Sequence, residues 1–237
     1  MERVKLMNRT DSKFTFSVNQ FELIMQEILS NYRALEVEGK KLNRYKTLYY
    51  DTANLDLYAK HHCGKLNRYK IRHRTYVESN IGFLEVKFKN NKGRTIKTRV
   101  NENEVPMSWK DDCEFFLTKT LPFSPTALLP VLWVNYNRCT LVHKTEAERL
   151  TLDTDLEFIK EGTTCKLNGL IIAEVKQDKK KPSPFLKMMK KYHIREGSIS
   201  KYCMGIALTC DDVKKNNFKR KLSAIQNMIH HDDLANN

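Results

Sequence analysis

The chain lacks any long apolar run. Its longest, Thr126 to Val134, is interrupted by Pro130 and falls far short of the roughly 20 residues a membrane span requires, so no transmembrane segment is expected. The opening residues Met1-Glu2-Arg3-Val4-Lys5 carry no secretory-type apolar stretch, and a cytoplasmic location is the expectation. Glycine and proline are sparse, 8 and 6 among 237 residues, which leaves little material for linkers and argues for one core rather than two. No C-x-x-C pair occurs among the six cysteines, so a zinc site or a disulfide framework is not expected and the thiols are read as free. The seven histidines (His61, His62, His73, His143, His193, His230, His231) show no metal-ligand spacing, and the His230-His231 pair reads as a frayed helix end. The familiar phosphate loops are missing too. No G-x-x-x-x-G-K-[ST], no G-x-G-x-x-G and no kinase signature set is found, which excludes those routes to a nucleotide.

What is abundant is positive charge. Lysine and arginine number 42 against 28 acidic residues, a formal net charge of +14, and the field favours anionic partners: nucleic acid, anionic lipid or phosphorylated small molecules. Helix is expected from Ser17, a plausible N-cap, to Tyr32, with Phe21, Ile24, Ile28 and Leu29 on one face, and again over Asn54 to His62. Further helices are expected over Trp109 to Lys119, Thr126 to Val134, Ser200 to Thr209 and Asp212 to His231. The rest alternates with a period of two. Strands are expected over Lys5 to Lys13, Lys46 to Tyr50, Leu66 to Val77, Gly82 to Lys89, Thr95 to Asn101, Asn135 to His143, Leu150 to Thr154, Glu157 to Ile159 and Leu170 to Lys176.

The strands carry the chemistry. In Arg68-Tyr69-Lys70-Ile71-Arg72-His73-Arg74 four cations occupy alternate positions and share one strand face. Across the next hairpin Glu85, Lys87 and Lys89 lie opposite Leu84, Val86 and Phe88, and after a turn Lys97 and Arg99 repeat the pattern. Arg138, Glu174 and Lys176 take strand positions of the same kind downstream. Any one of these strands could simply turn its polar face to solvent. Together the first three strands place eight cations side by side with only Glu85 nearby as a counter-charge, and repulsion at that density implies an absent anion. Because the opposite faces are apolar throughout, the sheet is expected to curl around a charged lumen with helices outside. Arginine forks and lysine point charges suit phosphate oxygens. Glu174 is a candidate ligand for a divalent metal, while Glu85 divides evenly between metal ligand and ion-pair partner. Nucleic acid ranks last among the partners, since Tyr69 and Phe88 alternate to the other face and cannot stack bases beside the cations.

Seven segments in sequence order resemble the VTC domain, the polyphosphate polymerase domain within the triphosphate tunnel metalloenzyme (CYTH-like) superfamily. They are Arg9-Thr10-Asp11-Ser12-Lys13-Phe14, Tyr49-Tyr50-Asp51-Thr52, Lys70 to Arg74, Phe83 to Lys87, Tyr136-Asn137-Arg138, Glu174-Val175-Lys176 and Ser200-Lys201-Tyr202. The resemblance implies an α+β fold, an antiparallel eight-stranded β-barrel tunnel with flanking helices, over residues 1–210, followed by a C-terminal helix and tail over 211–237. It further implies Lys13, Arg72, Arg74, Lys87, Arg138 and Lys176 as catalytic residues around a triphosphate. Lys70, Lys89, Lys97, Arg99, Arg149 and Lys201 would be further substrate contacts, and Glu174, with Glu85, would hold Mn2+ or Mg2+. The implied reaction transfers the terminal phosphoryl group of a nucleoside triphosphate, ATP in the family's polymerases, to a growing polyphosphate chain; hydrolysis or plain polyphosphate binding in the same tunnel are the alternatives. One departure bears on hydrolysis: Arg9-x-Asp11-x-Lys13 stands where hydrolytic relatives carry E-x-E-x-K, which reduces the acidic platform for metal.

Overall fold

Period-two alternation builds ten strands in the computed structural model, which describes residues 10–177 and 182–235. They are β1 (Thr10–Ser17), β2 (Tyr32–Ala34), β3 (Leu42–Asp51), β4 (Arg68–Tyr76), β5 (Ile81–Lys89), β6 (Thr95–Asn101), β7 (Leu129–His143), β8 (Glu148–Lys160), β9 (Thr163–Leu167) and β10 (Leu170–Gln177). Six helices accompany them among the described residues: α1 (Val18–Asn31), α2 (Asp56–His62), α3 (Asp111–Thr120), α4 (Pro184–Lys191), α5 (Lys201–Thr209) and α6 (Asn216–Ala235). The sheet is antiparallel, with hydrogen-bonded order β1-β10-β8-β7-β3-β4-β5-β6; β2 adds to β7 and β9 to β8 outside that path. The α+β tunnel fold is therefore present, with eight strands along its path. It is curled rather than closed, because the sheet path ends at β1 on one side and at β6 on the other. Part of the seam is covered by the segment after α4, where the Gly197 N–H donates to the Lys13 carbonyl at 2.8 Å, an extra bond on the outer edge of β1.

The apolar strand faces point outward into two layers of helices. On one side α1 and α4 bury Ile24, Ile28, Phe185 and Met188 against Phe14, Phe16, Leu150 and Val175. On the other, α2 and α3 set Leu57, Cys113 and Leu117 against Leu48, Ile71, Leu84 and Val86. The start of α1 follows from its cap: Ser17 Oγ accepts from the Gln20 N–H at 3.2 Å and Gln20 Oε1 accepts from the Ser17 N–H at 3.1 Å, the reciprocal capping box. A third cluster closes one end of the tunnel from within, where Tyr202, Met204 and Ile206 of α5 and Ile225 of α6 pack on Leu132, Val134, Phe158 and Ile172. The stripe of Phe218, Leu222, Ile225 and Ile229 belongs to this packing.

Several expectations change. Thr126 to Val134 is not an α-helix: a short 3-10 turn at Pro125–Ala127 is followed by β7, which pairs with β3 from Leu129 and is held between β3 and β8 from Trp133 onward. The strands expected at Leu150 to Thr154 and Glu157 to Ile159 are one continuous strand, β8, which carries Asp155 at φ 52°. The expected strand over Lys5 to Lys13 begins at Thr10, and residues 5–9, Arg9 among them, lie outside the described residues, as do the side chains of His230 and His231. All six cysteines are free. No helix among the described residues is long and apolar enough to cross a membrane.

A basic tunnel as candidate active site

Every strand of the path contributes to one cavity of about 400 Å3. Lys13 from β1 and Lys97 from β6 stand at opposite ends of the sheet path yet line the same space, which is the direct sign of curling. Ten lysine and arginine side chains face it: Lys13, Lys70, Arg72, Arg74, Lys87, Lys97, Arg138, Arg149, Lys176 and Lys201. Only two carboxylates, Asp11 and Glu174, accompany them on the wall.

Strand register sorts these charges into rows. Lys70, Lys87 and Lys97 are direct neighbours across β4, β5 and β6, a row of three lysines of which only Lys97 reaches an acid, Glu85 of the next row. Lys70 and Lys87 make no hydrogen bond or ion pair with any described residue. Repulsion from Arg72, then burial, then Arg74 hold the Lys87 ammonium well below the ordinary lysine range. Burial depresses Lys70 as well, with Lys13 and Arg72 adding to it. In the next row Arg72 lies opposite Glu85, which is fully buried. Arg72 Nη2 and Nε approach Glu85 Oε2 at 2.6 and 2.7 Å, and Lys97 pairs with Oε1. Burial pushes the Glu85 carboxyl up, but Arg72, Arg74 and Lys97 outweigh it and hold it far below its usual value.

A second buried carboxylate organises the opposite wall. Asp153 accepts from Arg138 Nε at 2.5 Å and Nη2 at 2.6 Å, and from Lys201 Nζ at 2.5 Å. Burial opposes its charge, yet Lys201 and Arg138 prevail and its acidity is strongly enhanced. Arg138 and Arg74 also lie over the rings of Tyr45 and Tyr136, 5.1 to 5.8 Å from their centroids, and Lys201 Nζ stands 4.7 Å from that of Tyr136. The Tyr136 hydroxyl is buried and has no partner. These aromatic and acidic supports were not singled out from the sequence. The alternation Leu150-Thr151-Leu152-Asp153 contained the signal for Asp153, but its two partners come from β7 and α5 and are visible only in the fold.

Three of the expected site residues stand apart from this cavity. Glu85 is walled off behind Arg72 and Lys97, an arrangement that suits its reading as a counter-charge. Arg99 lies over the Phe83 ring at 4.1 Å. Lys89 lines a neighbouring opening at the seam, beside Asp11 and Lys13. Glu174 fits a metal better. Its carboxylate faces the cavity and makes no hydrogen bond among the described residues, and its closest cation, Lys176 Nζ, is 3.6 Å away. Its oxygens are thus available to a hard cation whose remaining ligands are phosphate and water. No group of three or more His, Cys, Asp or Glu side chains arranged for a metal exists among the described residues.

The chain matches the VTC domain family over residues 8–111 and 122–210, and it belongs to that family. The unmatched gap falls on α3, the helix that packs on β5 and β6. No curated protein sequence is matched. Similar solved structures include a candidate adenylate cyclase of Bacillus halodurans, at 13% identity and TM-score 0.47, covering 81% of this chain and 94% of that one. Another is a candidate adenylyl cyclase of Hippeastrum, whose description reports a dominant triphosphatase activity, at 13% identity, TM-score 0.49, and 86% and 98% coverage. A third is a candidate adenylate cyclase of Vibrio parahaemolyticus, at 12% identity, TM-score 0.48, and 83% and 98% coverage. Family membership and the cavity together define a VTC-domain protein whose curled sheet encloses a cation-rich lumen.

Proposed function

We propose that this chain is a polyphosphate polymerase-type phosphotransferase that takes a nucleoside triphosphate, ATP foremost, as donor. The observation that carries the reading is the row Lys70–Lys87–Lys97, in which only Lys97 has an acid beside it, faced by Arg72, Arg74 and Arg138 inside one cavity. Such a lumen is complementary to a chain of phosphates and to little else of its width. Phosphoryl transfer needs positioning and charge neutralisation more than a covalent nucleophile, and this wall supplies both. Lys13, Arg72, Arg74, Lys87, Arg138 and Lys176 hold the donor's phosphates, with Lys70, Lys97, Arg149 and Lys201 as further contacts. A terminal oxygen of the acceptor chain forms the new bond to the γ-phosphorus as the bond to the β–γ bridging oxygen breaks, and the nucleoside diphosphate leaves with that oxygen. Glu174 would hold Mn2+ or Mg2+, which supplies neutralisation of the developing charge on the phosphate oxygens. Asp153 keeps Arg138 and Lys201 extended toward the substrate.

The test is incubation with ATP and manganese while free phosphate and long-chain polyphosphate are both quantified, with Glu174→Gln in parallel. Long chains in the wild type, and a variant whose turnover responds weakly to metal while its nucleotide binding persists, are expected. Phosphate without chains would make the protein a hydrolase, and neither product would reduce it to a binding module. Wild-type turnover by Glu174→Gln across the metal titration would remove Glu174 from the metal site.

A further inference from the structure

A second cavity, of about 210 Å3, lies between β4 and the helices α5 and α6. It meets the tunnel where Lys70, Ile199 and Ser200 line both spaces. The direct axial route past this point is filled. Gly205 of α5 sits so close to the wall that an added Cβ would lie 2.6 Å from both Leu132 Cδ2 and Phe158 Cδ1. A ligand too long for the tunnel must therefore turn aside at the closed end, and the cavity beside Lys70 is where it would turn.

The lining of this cavity contains no carboxylate. Arg68, Lys70 and Lys221 supply its charge, opposite an apolar wall that includes Phe218 and Leu222. Arg68 Nη1 donates to the Lys65 carbonyl at 2.6 Å, and Arg68 Nε is buried with no partner among the described residues. Lys221 Nζ is held in place by Ser198, through its carbonyl and its Oγ, both at 2.7 Å. Three cationic side chains, with the Lys70 ammonium free of hydrogen bonds and ion pairs among the described residues, line an acid-free space that opens into a basic tunnel, the pattern of a site whose ligand is itself an anion.

We infer that this side cavity is a second phosphate subsite, in which Arg68, Lys70 and Lys221 hold the part of an inorganic polyphosphate chain that extends beyond the tunnel. The inference rests on the triphosphate reading of the tunnel and adds to it a lateral path for the chain. The apolar wall offers one competing occupant, the base of a nucleotide whose phosphates lie in the tunnel, and the ligands of the test separate the two.

Binding of tripolyphosphate, ATP and medium-chain polyphosphate is measured by calorimetry on the full chain, for the wild type and for Arg68→Met, Lys221→Met and Leu222→Trp, the last filling the cavity. Expected is a loss of about tenfold or more in medium-chain affinity for each variant, the size of one charge-assisted contact, with tripolyphosphate and ATP unchanged. Arg68→Lys should recover part of the loss. Unchanged tripolyphosphate binding also shows that each variant is folded. Variants that bind the medium chain as the wild type does, that lose tripolyphosphate in equal measure, or that lose only ATP would overturn the subsite. A wild-type protein that binds neither tripolyphosphate nor polyphosphate would overturn the tunnel reading itself, and this subsite with it.

Discussion

Lys87 occupies the middle of the row Lys70–Lys87–Lys97, and its position costs the ligand-free fold stability because like charges directly opposite one another repel. Lys87→Met keeps the apolar stem and removes the charge. It should raise the melting temperature of the ligand-free protein, by about 2–4 °C for each kcal/mol of repulsion relieved in a chain of this size, while weakening tripolyphosphate binding. A variant that melts lower and binds as well as the wild type would show that Lys87 is not held under repulsion for the sake of an anion. Arg72 and Arg74 of β4 should separate in the opposite sense. Arg72 is bonded to buried Glu85, so Arg72→Met is expected to cost on the order of 3 kcal/mol of stability, the low end for a broken buried pair because Lys97 remains. Arg74 has no carboxylate partner; its polar contact is Thr47 Oγ1 at 3.4 Å, and Arg74→Met should reduce binding with little loss of stability in urea unfolding. The alternation of these cations was plain in the sequence, since a period of two fixes which residues share a face. Which of them is neutralised from behind was not, because Glu85 and Asp153 find their partners through strand register and through α5.

Among the elements, strands with strict alternation were legible and strands without it were not. β4, β5 and β6 carry cation–apolar alternation and lie close to where the sequence put them. Thr126 to Val134 is leucine-rich and apolar on both sides, a composition that fits a helix or a doubly covered strand equally well, and only its pairing with β3 and β8 decides for the strand. β2 and β9 are three and five residues long, too short for a periodic signal. The helix α5 was placed correctly as an element, but its role as the closure of one tunnel end depends on a close backbone approach that sequence periodicity does not encode. Gly205 makes that approach possible. Gly205→Ala would drive a methyl group into Leu132 and Phe158, both almost completely buried, and overpacking of this kind costs about 1–3 kcal/mol. The strain should also displace Lys201 at the start of the same helix, so the variant is expected to lose tripolyphosphate affinity together with stability. Wild-type urea unfolding by Gly205→Ala would show that α5 is not held against the wall.

For the molecule as a whole, the net charge of +14 matters less than where the charge is concentrated. Ten cations around one lumen repel each other in the absence of a ligand, and a polyphosphate relieves that repulsion in addition to binding the native state by mass action. Tripolyphosphate at a hundred times its Kd contributes about 2.7 kcal/mol, which corresponds to a rise of roughly 5–10 °C in melting temperature. Chloride at equal ionic strength screens the charges without bridging them and should produce a much smaller shift. The pH dependence follows from the depressed lysines. Below its lowered folded pKa, Lys87 is already charged and binding requires no proton; above it, and up to the ordinary value of 10.5, the anion must draw a proton onto Lys87 as it binds. Lys70 behaves in the same way. Tripolyphosphate affinity should therefore fall as pH rises through that window, and calorimetry in buffers of different ionisation enthalpy should register net proton uptake there. In Lys87→Met, with one of the depressed lumen lysines gone, the uptake and the slope should both shrink. If the wild type takes up no protons in this range, its lumen lysines are charged before the ligand arrives and the repulsion that underlies the proposed anion site is weaker than the geometry implies.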